Sequence, residues 1–292
     1  MSMYRALRVP ALALLALGIV LGLVFAGPAL AAGGKAMHDD NGNAGNPRIL
    51  PPGSMPYGMS YGEWSVKWWQ WAYGLPVTGH PLFDETGANC AAGQSGPVWF
   101  LGGVFNASGT AVRDLCTVPV GKALFFPIVN VEWDNFCPVL DPPLSIDELR
   151  LQAKLAMDSV RDLVCEVDGA PLMNLASYRF VGDPFGVNMP SDNIWQAFGC
   201  PYEPGYYEPL VPDGVFLMLA PLPAGQHTIY FRGTIDFFGT PFTPEITYNL
   251  TVSPHAAPGE LSGDPADMSV SPAGAPPLTQ PSTWGRVKAT YR

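Results

Sequence analysis

The chain has 292 residues and a formal net charge of -10, from 15 Lys and Arg against 25 Asp and Glu. Only 14% of residues are charged, whereas Gly and Pro number 32 each, which leaves too little charge-laced surface for a helical bundle or coiled coil and favours strands joined by many turns. An acidic chain also lacks the cationic field that phosphate backbones require, so nucleic acid is excluded as a partner.

Arg5 and Arg8 precede a mostly apolar run from Val9 to Gly27, and Ala29-Leu30-Ala31 places small residues at the cleavage positions. This order predicts a secretory signal peptide over 1–31, with the product periplasmic or secreted and no membrane segment left after cleavage. Residues 32–57 are rich in Gly, Asn, Asp and Pro without apolar periodicity and read as a flexible leader. Within it, Asp39 to Asn43 offers calcium-compatible oxygens but lacks the twelfth-position Glu of an EF-hand loop.

A β-rich globular domain is expected over 58–253, with a division into two subdomains near 142–170 as one option. It opens on a helix from Ser60 to Gly74. Ser60 and Glu63 form a capping box, and Gly74 followed by Pro76 marks the stop. At helical spacing Tyr61, Trp64, Trp68 and Trp71 share one face, Val66, Trp69 and Tyr73 nearly the opposite one, and Glu63, Lys67 and Gln70 a narrow polar ribbon. A helix apolar on two faces is sandwiched rather than laid on a surface. The following loop carries His80, Asp84 and Glu85, candidate ligand-binding residues by position.

Apolar or β-branched runs at 98–105, 117–118 and 123–131 read as strands. Asn130, near the end of the third run, is followed by Glu132, Asp134 and Asn135, and a little later by Asp141. Oxygens grouped at a strand end suit a hard cation or a sugar, so Asn130, Glu132 and Asp134 are candidate ligands for calcium. Glu132 and Asp134 are also the candidate acid/base pair of a polysaccharide hydrolase.

A second capping box, Ser145 with Glu148, starts an amphipathic helix whose stripe runs from Leu149 through Ala153, Ala156, Met157 and Val160 to Leu163 and Val164. Its end is ambiguous, because 163–172 also reads as a hairpin turning at Asp168-Gly169. Strands follow at 178–181, 214–219, 227–232 and 245–252, and Thr228, Tyr230 and Arg232 alternate with Ile229 and Phe231. Tyr202, Tyr206 and Tyr207 occupy a Pro/Gly-rich stretch suited to surface recognition, and 254–292 reads as a Pro/Gly/Ala-rich tail. The expected fold is mainly β, an antiparallel sandwich of Greek-key (Ig-like) or jelly-roll type decorated by two helices.

Five cysteines, at 90, 116, 137, 165 and 200, all follow the cleavage site, which suggests up to two disulfides and an odd thiol. Sequence leaves the pairing open; Cys90 with Cys116 and Cys137 with Cys165 is favoured because it closes short loops. No His-Glu-x-x-His or Gly-x-Ser-x-Gly motif is present.

Four segments carry a family resemblance: Gly-Glu-Trp-Ser-Val-Lys-Trp-Trp-Gln-Trp-Ala at 62–72, the Thr86 to Gly102 stretch, Val118 to Asn130, and Pro-Leu-Pro-Ala-Gly-Gln-His-Thr-Ile-Tyr-Phe at 221–231. They resemble a family of exported bacterial proteins of unknown function over roughly 60–253. The resemblance implies export and carries no catalytic residue or cofactor. Three function classes stand at this point: an exported non-catalytic binding or structural protein, a secreted polysaccharide hydrolase, and a self-associating subunit of a surface assembly. The partner implied is a polysaccharide or another component of the cell surface.

Overall fold

The computed structural model describes residue 46 and residues 48–254, apart from 107, 138 and 238. The expected signal peptide, the Asp39 to Asn43 stretch and the expected tail beyond Pro254 lie outside the described residues. Among the described residues no helix is long and apolar enough to cross a membrane.

The described residues form two mixed sheets and three α-helices. The elements in order are α1 (Tyr61–Gly74), β1 (Val98–Phe100), β2 (Thr110–Arg113), β3 (Thr117–Pro119), β4 (Ala123–Trp133), α2 (Ile146–Asp158), β5 (Arg161–Val167) and β6 (Ala170–Pro171). They continue with β7 (Arg179–Val181), β8 (Phe185–Met189), α3 (Ile194–Ala197), β9 (Gly205–Leu219), β10 (Gly225–Phe237), β11 (Thr240–Phe242) and β12 (Glu245–Ser253). The first sheet runs β1-β4-β9-β7, with β8 also on β9; the second runs β2-β12-β10-β5-β6, with β11 on β10 and β3 on β12.

The mainly β expectation holds, but the sheets are not purely antiparallel. β1 runs parallel to β4, and both β2 and β3 run parallel to β12. Alternation along a strand reports which side chains are buried and carries no information on the direction of a partner far away in the chain. The edges are short: β1, β3, β7 and β11 have three residues each and β6 two, which limits the unpaired backbone offered to another chain.

Both capping boxes form. The Ser60 and Ser145 hydroxyls accept from the N–H groups of Glu63 and Glu148, and each glutamate returns to the cap N–H. α1 then lies on the first sheet as an internal wedge, with Trp68 and Trp69 each 2% exposed. Its Tyr61 packs on Phe125, and Trp68 meets Phe216 edge-on. On the opposite face of the same sheet Phe126 stacks on Phe231 of β10, joining the two sheets face to face. β4 is consequently buried on both sides.

Two bulges meet in this core. The β4–β9 register shifts between Pro127 and Val129, and the β10–β5 register between Arg232 and Thr234. Pro127 lacks an N–H for the ladder, and the bulge accommodates it within a central strand. Gly233 sits at the other bulge, where a Cβ would stand 2.8 Å from Val129 Cγ1 and 2.9 Å from Leu163 Cδ2, so glycine is what lets the sheets approach.

The boundary after α2 resolves in favour of the hairpin. α2 stops at Asp158, Leu163 and Val164 belong to β5, and Asp168 and Gly169 turn with φ of 53° and 75°. A glycine and an aspartate both tolerate the left-handed region that this turn requires. β5 pairs with β10, and α2 packs against β4, β9 and β10, so 142–170 is built into the sheets on both sides. Arg179 of β7 forks onto buried Asp213 of β9 at 3.0 and 2.6 Å and reaches Asp158 at the end of α2.

Two expectations need correction here. The last part of the 32–57 segment is docked rather than loose: Ile49 is fully buried and bridges Leu219, and Leu50 N–H donates to the Met218 carbonyl. Likewise Tyr206 and Tyr207 stand in β9 rather than in a loop, paired with Asn188 and Val187. Glu208 and Pro209 together oppose Gly186 there, so a bulge again absorbs the proline that made the stretch read as a loop.

The disulfides are Cys90–Cys116 and Cys137–Cys200, leaving Cys165 as a buried free thiol. The Cys137–Cys165 pairing is therefore replaced. Cys165 faces inward on β5, whereas Trp195 of α3 packs on Phe136, beside Cys137, and so brings in Cys200, 63 residues away from Cys137. Burial pushes the Cys165 thiol up, with the Glu166 charge adding to it. A thiol-reactive chromogenic disulfide should find no thiol in the native protein and one in denaturant. Rapid native labelling would show that β5 is not sealed.

Candidate functional site

Asn130 and Glu132 stand at alternate positions of β4, on the side facing α1, and Asp134 follows just beyond the strand's end. Tyr73 of α1 donates its hydroxyl to Glu132 Oε1 in a very short hydrogen bond. Burial, then the charges of Glu132 and Asp134, push the Tyr73 hydroxyl well above its ordinary pKa, so it stays protonated as the donor. Asp134 Oδ1 accepts from the N–H groups of Phe136 and Cys137 at 2.7 and 2.9 Å and shapes the turn leaving β4. Both carboxylates are sealed, Glu132 at 0% and Asp134 at 4% exposure. Glycoside hydrolysis requires a carboxyl on each side of a scissile bond, and a substrate cannot reach this pair as it stands. Among the described residues no three His, Cys, Asp or Glu side chains converge as a metal cage would need.

The other candidates are dispersed. His80 is buried beneath the end of α1, its Nε2 2.7 Å from the Ala72 carbonyl and its Nδ1 accepting from Leu82 N–H at 3.0 Å. These partners fix one neutral tautomer, with the proton on Nε2. Desolvation lowers its pKa to about 4, helped by the Arg113 charge and opposed by the Ala72 hydrogen bond and Asp192. Asp84 folds its own loop, accepting from Thr86 and Asn89 N–H at 2.8 Å. Against the upward push of burial, those bonds hold its carboxyl below the ordinary range. Glu63 is spent on the helix cap and Glu85 on Asn106, so neither joins the β4 row.

Tyr206 is exposed and donates to Glu208, apart from the other candidates. Tyr207 belongs instead to an aromatic cluster with Phe136, Trp195 and Tyr202, whose ring centroids all lie 5.0–5.9 Å apart. That spacing is ring-on-ring packing with no room for a ligand between the rings. The cluster is tied down by Cys137–Cys200, next to Asp134.

Where β4 bulges, the layers part. A cleft of about 50 Å³ opens between α1 and the bulge, bordered by Trp69, Leu82, Phe105, Ile128, Asn130 and Phe242 among others. It brings Asn130 of β4 beside Leu82 from the loop after α1. Asn130 and Trp69 border it, and their Nδ2 and Nε1 atoms are sealed in the interior without a hydrogen-bond partner. The other three indoles of α1 all donate to backbone carbonyls: Trp64 to Pro56, Trp68 to Leu101 and Trp71 to Ala92, at 2.7–3.0 Å.

Sequence reasoning missed Arg113, which organises this end of the molecule. All of its guanidinium nitrogens are engaged: Nε with the Asp84 carbonyl, Nη1 with Gly102 and the Tyr248 hydroxyl, Nη2 with Pro81 and Gly103. Its inward position two residues after buried Ala111 in β2 is a signal that alternation could have supplied. Tyr73 was seen only as an apolar face residue, because its partner lies 59 residues away. Comparison of the chain with protein-family models, curated proteins and solved structures gives no significant match.

Proposed function

We propose that the chain is an exported, non-catalytic binding protein of the periplasm or cell exterior, as its resemblance to exported bacterial proteins also suggests. One observation carries this reading: the carboxylates of Glu132 and Asp134, the candidate catalytic pair, are enclosed. Enclosed carboxylates held by Tyr73 and by backbone N–H groups suit a polar brace in the core. The cleft beside the β4 bulge, lined mostly by apolar side chains, suits recognition of a ligand. Two disulfides fit an oxidising compartment.

The test is to express the full chain in a bacterium and follow both its fate and its chemistry. Expected are recovery from the periplasm or medium at a mass lacking residues 1–31, and no release of reducing ends from a polysaccharide panel. Cytoplasmic retention of the uncleaved chain would overturn the export half of the reading. Reducing-end release by the native protein that disappears in Glu132→Gln would overturn the non-catalytic half and restore the hydrolase.

A further inference from the structure

We infer that two copies of the chain pair face to face through the outer side of the second sheet, Arg232 of each meeting Glu166 of the partner subunit. The inference goes beyond the binding reading above and does not rest on it.

The second sheet keeps one face in the core and turns the other outward. Along β12, Ile246, Tyr248, Leu250 and Val252 are buried, whereas Glu245, Thr247, Asn249 and Thr251 between them are half-exposed. In β10, Phe231 points inward onto Phe126, so Tyr230 and Arg232 point outward. Tyr230 lies opposite Glu166 of β5, and Arg232 opposite Val164. These four half-exposed side chains therefore stand at the corners of one rectangle on the outer face.

Two opposite corners carry unpaired charge. Among the described residues neither Arg232 nor Glu166 makes an ion pair or a side-chain hydrogen bond. The Arg232 Nε is sealed within the face, but its two terminal nitrogens and the Glu166 oxygens reach solvent. Arg232 stands apart in this: Arg48, Arg113, Arg150, Arg161 and Arg179 each hold a carboxylate or a carbonyl. Diagonal neighbours of an antiparallel pair are about 7–8 Å apart, a span two long side chains can close, yet these two stay open. Nor does Glu245 neutralise Arg232, because it accepts from the Tyr230 hydroxyl at 2.9 Å.

A two-fold axis lying in the contact plane and passing between Arg232 and Glu166 exchanges their positions, which makes the patch self-complementary. Two ion pairs then form, each satisfying charges that a single chain leaves open. The other diagonal of the rectangle, from Tyr230 to Val164, runs close to that axis, so each of these side chains meets its own copy. An aromatic and aliphatic centre flanked by ion pairs is the anatomy of a specific contact. Thr247 and Val112, the latter 57% exposed, continue the Tyr230 row toward β2. Five strands side by side, at about 4.8 Å each, make the face about 24 Å wide, and the overlap of two such faces buries roughly 1,100 Å² over both copies. That area sits at the low end for specific interfaces, so the dimer is a weak one.

The folded, disulfide-intact protein is followed by sedimentation equilibrium from about 1 to 500 µM. Expected is a monomer–dimer equilibrium with a dissociation constant of about 10–100 µM. Arg232→Glu and Glu166→Arg should each weaken it at least about tenfold, because each sets like charges opposite one another twice. Mixed in equal amounts, the two variants should pair again with near-native affinity, since the mixed dimer holds opposite charges at both contacts. A monomer at every concentration overturns the inference, as does a dimer that neither reversal weakens, or a mixture that stays monomeric. If a reversal unfolds the chain, the native protein still decides. On dilution its backbone amide signals over Thr228 to Arg232 and Glu245 to Asn249 should shift with the dimer fraction, and shifts confined to other segments overturn this face as the contact. Export and hydrolysis are read in separate assays, so this inference and the binding reading fall separately.

Discussion

Replacing Arg113 by methionine is expected to remove about 4 kcal/mol of stability, a loss on the scale of breaking a buried polar network. The side chain is 1% exposed and its five hydrogen-bond acceptors are four backbone carbonyls and the Tyr248 hydroxyl. Its guanidinium carbon also lies 4.9 Å from the Tyr248 ring centroid, a cation–π contact. Methionine fills comparable volume and therefore isolates the polar loss from a cavity. Each carbonyl left dry costs about 1–3 kcal/mol, reduced where the loops shift to admit water. Lysine keeps the charge but has no planar fork, and it should recover less than half of the deficit. Denaturant unfolding midpoints at constant slope give the answer; a loss under about 1 kcal/mol would show that the 81–84 and 102–103 loops do not depend on Arg113.

Stability should also fall by about 3 kcal/mol between pH 6.5 and pH 4 on account of His80 alone. In the folded protein the ring is held neutral and titrates at about 4, whereas the unfolded ring takes its proton at 6.5. Above pH 6.5 neither state binds that proton and the full stability is present. Between 6.5 and 4 the unfolded state is the one that gains it, so each unit of acidification favours unfolding; below 4 both states are protonated and this contribution stops changing. Asp84 and Asp168, whose carboxyls are held below their ordinary 3.8, contribute stability that disappears at still lower pH and so fall outside this window. His80→Gln retains a donor toward the Ala72 carbonyl while removing the titration. Its stability should be nearly flat from pH 6.5 to 5, above the range where the capping carboxylates Glu63 and Glu148 begin to lose theirs, while the native protein already declines; parallel declines would rule out His80 as the cause.

The two predictions concern residues that differ in how visible they are along the chain. His80 is placed by sequence in the loop after α1, but its role as the donor that caps the Ala72 carbonyl appears only when that loop folds back under the helix. Arg113 sits in a strand too short to announce itself, and its acceptors come from three separate segments. The two capping boxes, by contrast, are complete within four residues each, and the Asp168-Gly169 turn within two. Those are legible because donor, acceptor and backbone geometry are all local. The Cys90–Cys116 bridge, 26 residues apart, agrees with the favoured short-loop pairing; Cys137–Cys200 was not legible, since shorter pairings of Cys137 existed.

The same division runs through the candidate site. Asn130, Glu132 and Asp134 were recognisable as a polar row because alternate residues of a strand share a side, but the row was expected at the surface. Whether a strand end faces water or a helix depends on what the rest of the chain lays over it, here Tyr73 and the aromatic wall around Trp195. The cleft was invisible altogether, because a bulge is a mismatch between two strands and neither strand encodes it alone.

Local order therefore follows from this amino-acid string: where helices begin, which strand residues turn inward, that four tryptophans must be buried, and that the body is strand-built. Tertiary packing decided the rest, namely strand directions, the second disulfide, the sealing of the carboxylates and the cleft beside the bulge. The physical reason is range. Caps, turns and side-chain alternation are settled within a few residues, whereas burial of a polar atom is a property of whichever distant segments happen to exclude water from it.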